Sequence, residues 1–127
     1  MTGASGGKSV YMKLDHIAVI ASTEASVDFY QKLGFSVISR RKREHDEMLF
    51  MAGNGVTLEL FIDPAHPARV DRPEALGLRH LAFDVDDLDE ILARFDCEPV
   101  RLSSDGIRIT FTKDPDGVPI EFRETAG

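Results

Sequence analysis

The feature that most constrains this chain is an internal repeat. Leu14-Asp15-His16-Ile17-Ala18-Val19 aligns with Leu78-Arg79-His80-Leu81-Ala82-Phe83. Further on, the segment from Asn54 to Phe61 aligns with the segment from Asp116 to Arg123. A motif that recurs along one chain signals one structural unit built twice. Each copy reads as strand, helix, then three strands. A unit of about 50 residues is marginal alone, so the two copies must share a core. The expected fold is therefore α+β: two βαβββ modules forming a curved, partly open mixed sheet around one site.

Local signals set the expected boundaries. Residues 1–12 read as a flexible Gly/Ser-rich leader without the apolar core of a secretory signal. One domain follows over 13–124, with module 1 at 13–62, a three-proline connection at 63–77, and module 2 at 78–124. In module 1 the strands are expected at 14–21, 35–41, 47–52 and 56–62. Ser22 is placed to cap the helix and Gly34 to end it. Asn54-Gly55 predicts a tight hairpin turn. In module 2 the strands are expected at 78–85, 99–103, 107–113 and 119–124. Asp86 is placed as the cap of a helix whose Leu88, Ile91, Leu92 and Phe95 form one apolar stripe.

Composition narrows the function. The net charge of −7 argues against nucleic acid or an anionic membrane as partner. No apolar run is long enough for a membrane-spanning helix. The single cysteine, Cys97, excludes an internal disulfide and thiolate zinc clusters, and with no export signal it points to the cytoplasm.

The repeat aligns chemistry as well as apolar residues. His16 matches His80 and Glu59 matches Glu121, with a spacing from histidine to glutamate of 43 residues in the first copy and 41 in the second. Leu58 and Leu60 flank Glu59, and Ile120 and Phe122 flank Glu121. Alternation along a strand turns each glutamate away from its flanks, toward the concave side of the sheet. A lone strand histidine is ordinarily a core or surface residue. The same pair at matched places in both copies is not so easily dismissed. Two carboxylates and two imidazoles converging on one concavity need a cation, since a buried carboxylate is costly unless paired or metal-bound. The set suits Zn²⁺, Ni²⁺ or Co²⁺, with Fe²⁺ ranked behind them. The other candidates are weaker. His45 sits in a charge run and His66 between prolines; both read as surface. Cys97 reads as a small hydrophobe. Arg79, Arg108 and Thr110 are candidate substrate contacts, with Thr112 and Arg123 beside them.

These residues resemble the vicinal oxygen chelate superfamily, also called the glyoxalase and bleomycin-resistance fold. The motifs carrying the likeness are the two His-containing strands, Phe29-Tyr30 with Leu33-Gly34-Phe35, Leu58-Glu59-Leu60, and Asp114-Pro115-Asp116-Gly117 leading to Ile120-Glu121. Arg72-Pro73-Glu74-Ala75 before Gly77 is similar to a small bacterial glyoxalase-like branch. The resemblance implies His16, Glu59, His80 and Glu121 as ligands of one divalent ion, a small-molecule substrate, and homodimerisation. It leaves open whether one chain or two supply the ligands. Two His plus two Glu is the glyoxalase I set, which implies a metal-dependent lyase or isomerase: proton abstraction beside a carbonyl, an enediolate, and return of the proton to the neighbouring carbon. The resemblance favours Glu121 as the base and Glu59 as its rival. The alternative it implies is a metal-dependent resistance or ligand-binding protein, or a dioxygenase, of the same superfamily. No glutathione site of the glyoxalase I kind can be placed on so compact a chain.

Overall fold

The β-branched and apolar runs of the repeat become strands, and the alternation within them decides which face is buried. The computed structural model describes residues 9–125; most of the expected leader lies outside the described residues. The elements run β1 (Ile17–Ala21), α1 (Ala25–Lys32), β2 (Ser36–Lys42), β3 (Glu47–Gly53), β4 (Val56–Ile62), β5 (Leu81–Val85), α2 (Leu88–Arg94), β6 (Arg101–Leu102), β7 (Arg108–Lys113) and β8 (Pro119–Glu124). They form two four-stranded mixed sheets, ordered β1-β4-β3-β2 and β5-β8-β7-β6, with no ladder joining them. The two halves of the repeat therefore fold to the same topology. In each, the first strand lies parallel to the last and the remaining pairs are antiparallel.

One core serves both modules. Val19, Val27, Tyr30, Leu49, Met51, Leu58 and Leu60 from the first join Leu88, Phe95, Ile120 and Phe122 from the second. Phe29 meets Phe95 edge-on at 5.7 Å between ring centres, so the helix of each module reaches the other. Leu58, Leu60 and Ile120 are wholly buried and Phe122 nearly so. The flanks of both glutamates thus face the core, as the alternation predicts.

Polar contacts fix the module interface. Asp116 accepts hydrogen bonds from the Ser22 backbone N–H at 2.9 Å, the Ser22 hydroxyl at 2.5 Å and the Ser26 hydroxyl at 3.2 Å. The Tyr30 hydroxyl donates to Asp114 at 2.7 Å in the buried interior. This corrects one expectation. Ser22 does not cap α1, because the helix starts only at Ala25: Glu24 sits at the cap position with no side-chain capping bond, the Thr23 hydroxyl accepts from the Ala25 N–H at 3.3 Å, and the Ser22 donors go to Asp116 of the other module. The cap of α2 is also displaced by one residue, to Asp87, whose carboxylate accepts from the Glu90 N–H. β1 and β5 begin three residues later than expected, and β6 keeps only two residues of its expected five.

The hairpin turn between β3 and β4 behaves as its sequence requires. Asn54 and Gly55 both take positive φ (52° and 76°), the two-residue hairpin geometry. The Asn54 amide also donates to the Leu33 carbonyl at 3.0 Å, satisfying the end of α1. Beside it, Gly53 passes so close to the preceding turn that a Cβ would stand 2.3 Å from the Gly34 carbonyl oxygen. That oxygen belongs to the backbone and cannot swing aside. Gly53→Ala is therefore expected to destabilise by about 2 kcal/mol or more, as overpacking against backbone does. Urea unfolding should show a lower midpoint with an unchanged slope.

Candidate metal centre

The strand register builds the same small constellation in each module. In the first, Glu59 of β4 lies opposite Ala18 of β1 and Phe50 of β3. In the second, Glu121 of β8 lies opposite Ala82 of β5 and Phe111 of β7. Register partners project from the same face, so each glutamate shares its face with the strand that His16 or His80 precedes. His16 Nε2 stands 3.2 Å from Glu59 Oε1, and His80 Nε2 stands 3.0 Å from Glu121 Oε1. Both carboxylates are largely withdrawn from water, at 9% and 8% exposure.

Each histidine is also held by an aromatic ring. His16 meets Phe50 at 5.6 Å and 88°, and His80 meets Phe111 at 5.4 Å and 86°. Phe50 and Phe111 went unnoticed in the sequence, although the repeat carries the signal: each precedes its glutamate on the neighbouring strand, at paired positions. In module 1 the Asp15 carboxylate adds a hydrogen bond to His16 Nδ1 at 2.7 Å. That bond is the main cause of the raised His16 pKa; desolvation opposes it and the Glu59 charge adds to it. A carboxylate on the far nitrogen is the arrangement that orients metal-binding imidazoles.

The donor set fits a divalent ion. Two ligands each about 2.1 Å from an ion, at right angles, are about 3.0 Å apart. The nitrogen–oxygen separations of the two pairs match that edge. Each pair offers two candidate ligands. Among the described residues, no three His, Cys, Asp or Glu side chains gather at metal-binding distance within the chain.

The remaining candidates scatter. Thr110 pairs with Phe122 in register and lies on the core face; its hydroxyl donates to the Glu98 carbonyl at 2.6 Å. Thr112 likewise donates to Asp96 O at 2.8 Å. Arg108, on the same face of β7, bonds Glu124 and Asp89 near the start of α2. The structure thus places Arg108 and Thr110 away from the glutamate face. Arg79 adjoins His80, but its guanidinium is clamped by Glu74 at 2.6 and 3.2 Å. Arg123 lies 3.6 Å from Glu121 while bonding Asp105 at 2.7 Å. His45 is exposed beside Glu44, and His66 is exposed on the connection. Cys97 packs against the core, and burial pushes its thiol pKa up.

An open apolar groove of about 890 Å³ runs between the modules, lined by β1 residues Ile17–Ile20, by Leu76 and Leu78 of the connection, and by Leu81. Ile20, Leu76 and Leu78 are 51%, 104% and 76% exposed. Among the described residues, no helix is long and apolar enough to cross a membrane.

The family model for the glyoxalase/bleomycin resistance protein/dioxygenase superfamily matches residues 13–122. The uncharacterized Escherichia coli K12 protein YaeR is 43% identical over 123 residues, covering 88% of this chain and 95% of its own. A glyoxalase family protein from Enterococcus faecalis superposes with a TM-score of 0.84 at 40% identity, covering 90% of this chain and 98% of its own. At 17% identity, which speaks for the fold alone, a Listeria monocytogenes FosX variant complexed with Mn(II) and 1S,2S-dihydroxypropylphosphonic acid superposes with a TM-score of 0.72, covering 91% and 94%.

Proposed function

The chain belongs to the glyoxalase/bleomycin resistance protein/dioxygenase superfamily, and from that premise we propose that it is a metal-dependent lyase or isomerase of glyoxalase I type. The observation that carries this reading is the twofold His–Glu pair: His16 with Glu59 and His80 with Glu121, each at coordination-edge distance on a matching strand face. Two imidazoles and two carboxylates are the proposed ligands of one Zn²⁺, Ni²⁺ or Co²⁺ ion. Because each module holds only half the set, the site is completed in a homodimer, with His16 and Glu59 from one copy and His80 and Glu121 from the other. The apolar groove supports this. Ile20, Leu76 and Leu78 form an uncovered surface of the kind that a self-complementary dimer buries.

A divalent ion bound there supplies polarisation of two adjacent substrate oxygens. The chain's own residues do the rest. Glu121 takes the proton beside the substrate carbonyl and returns it to the neighbouring carbon, with Glu59 as the competing base. Phe50 and Phe111 pack edge-on against the imidazoles and hold them in place.

Two measurements test this. Metal analysis of Glu121→Gln and His80→Ala should show affinity lower by about tenfold to a hundredfold or more, the range that even outer-shell losses produce. Wild-type stoichiometry and affinity in both variants would sink the site. Metal-loaded protein should isomerise a hemithioacetal formed from methylglyoxal and a small thiol. Full occupancy with no turnover on any of several thiols would sink the reaction while leaving the site.

A further inference from the structure

On each glutamate face an arginine lies over a phenylalanine, on the glutamate's own strand in module 1 and on the neighbouring strand in module 2, and the two arginines differ in their carboxylate partners. In module 1 the Arg43 guanidinium stands 5.2 Å from the Phe61 ring centre, and Asp46 neutralises it through bonds of 2.7 and 2.8 Å. In module 2 the Arg101 guanidinium stands 5.6 Å from Phe111. No carboxylate pairs with Arg101 among the described residues. The chain carries 22 acids against 15 bases; Arg41, Arg69 and Arg72 also lack a carboxylate partner among the described residues, and what sets Arg101 and Arg72 apart is where they lie.

Arg101 borders a polar depression of about 290 Å³ whose walls include Arg72, Arg79 and Lys113, together with His80 and Phe111. Glu74 holds Arg79 at 2.6 Å, and Asp71 approaches Lys113 at 3.5 Å. Arg72, like Arg101, has no ion-pair partner among the described residues. Glu98 is the remaining acidic wall residue. The depression thus holds two uncommitted guanidinium groups against one uncommitted carboxylate. It opens beside the ring that packs on His80.

From this asymmetry we infer that the depression is an oxyanion subsite, with Arg101 as its principal donor and Arg72 as its second. The substrate therefore carries a carboxylate or phosphate-type group, held on module 2 while the reacting carbon faces His80 and Glu121. A guanidinium presents paired donors that match either oxyanion, and the Phe111 ring fixes its plane. The inference deepens the lyase reading and rests on it for the position of the reacting carbon. The subsite itself stands on the charges alone.

The test uses the metal-free full-length protein, so that an anion cannot bind the ion directly. Inorganic phosphate and acetate are titrated separately by calorimetry and by following the Arg101 side-chain NMR signal. Wild-type protein should bind at least one of them, and whichever binds more tightly identifies the class of anion. Arg101→Gln should weaken that binding about tenfold, the loss of one charge-assisted bidentate contact. Arg101→Lys should recover part of the loss, and Arg43→Gln should change nothing. Phosphate and acetate both failing to bind wild-type protein, or binding Arg101→Gln equally well, would overturn the subsite. Metal titration of the same Arg101→Gln sample separates the two readings. Intact metal binding with lost anion binding upholds the subsite and leaves the metal site of the lyase reading standing. Anion binding at Arg101 in a protein that takes up no metal upholds the subsite and overturns the lyase reading.

Discussion

Mixing His16→Ala protein with His80→Ala protein is expected to restore the high-affinity metal binding that each variant alone has lost. The reason is geometric. Each chain brings His16 to Glu59 and His80 to Glu121, and among the described residues the two candidate pairs do not meet within one chain. In a twofold dimer that joins unlike halves, a heterodimer of the two variants places both lesions in one site. Its other site takes His16 from the His80→Ala chain and His80 from the His16→Ala chain, and is intact. With free subunit exchange half the dimers are mixed, so recovery should reach about a quarter of the wild-type sites. Elemental analysis after co-refolding and gel filtration reads this directly, and the hemithioacetal assay should recover in proportion. A mixture that stays at the level of its parents would show that the halves never meet across an interface. A variant of the apolar groove gives an independent check: Leu78→Glu puts a charge on a 76% exposed residue. It should leave the monomer folded, abolish the dimer and lower metal affinity, although no candidate ligand is itself replaced.

Much of this arrangement was legible in the sequence because the repeat fixes both period and register. Strand alternation alone put Leu58 and Leu60 in the core and turned Glu59 the other way, and the structure follows it. Asn54-Gly55 and Gly34 were legible because positive φ admits few other residues. The illegible parts depend on contacts between modules. Ser22 has the composition of a helix cap, yet its hydroxyl serves Asp116, 94 residues away. Thr110 alternates as a half-exposed strand residue should, and only the pairing with Phe122 shows that its wet side is the core side. Nothing in a one-dimensional pattern tells a buried threonine bonded to a carbonyl from one facing a substrate. The separation of the half-sites is likewise a matter of how two modules pack, which the repeat does not encode.

Asp114→Ala is expected to be the most damaging single change outside the candidate ligands. Its carboxylate is 4% exposed and accepts the Tyr30 hydroxyl at 2.7 Å and the backbone N–H groups of Asp116 and Val118, each at 2.9 Å. Burial, reinforced by the Asp114 charge, pushes the Tyr30 phenol far above its ordinary pKa, so it remains a donor throughout the working range. Removing the carboxylate strands three donors in or near the core, at a cost of about 3 kcal/mol or more. In a domain of this size that lowers Tm by about 10 °C. Asp114→Asn keeps an acceptor and should fall between, while Tyr30→Phe, which deletes one bond, should cost about 2 kcal/mol. The neighbouring Asp116 adds a pH dependence. Burial acts to raise its pKa, but the Ser22 hydroxyl and N–H and the Ser26 hydroxyl outweigh it, and the net direction is down. A carboxylate depressed by folding stabilises at pH above its unfolded value, and that contribution is lost as pH falls through the folded one. Asp116→Asn should therefore flatten the acid limb of the stability curve. Both aspartates sit in the turn that feeds β8, the strand of Glu121, and they tie that turn to α1 of the other module. Loosening them frees one half-site relative to the other. Metal affinity should then fall in Asp114→Ala even at temperatures where the protein stays folded, whereas Gly53→Ala, which strains module 1 without freeing the interface, should leave it intact.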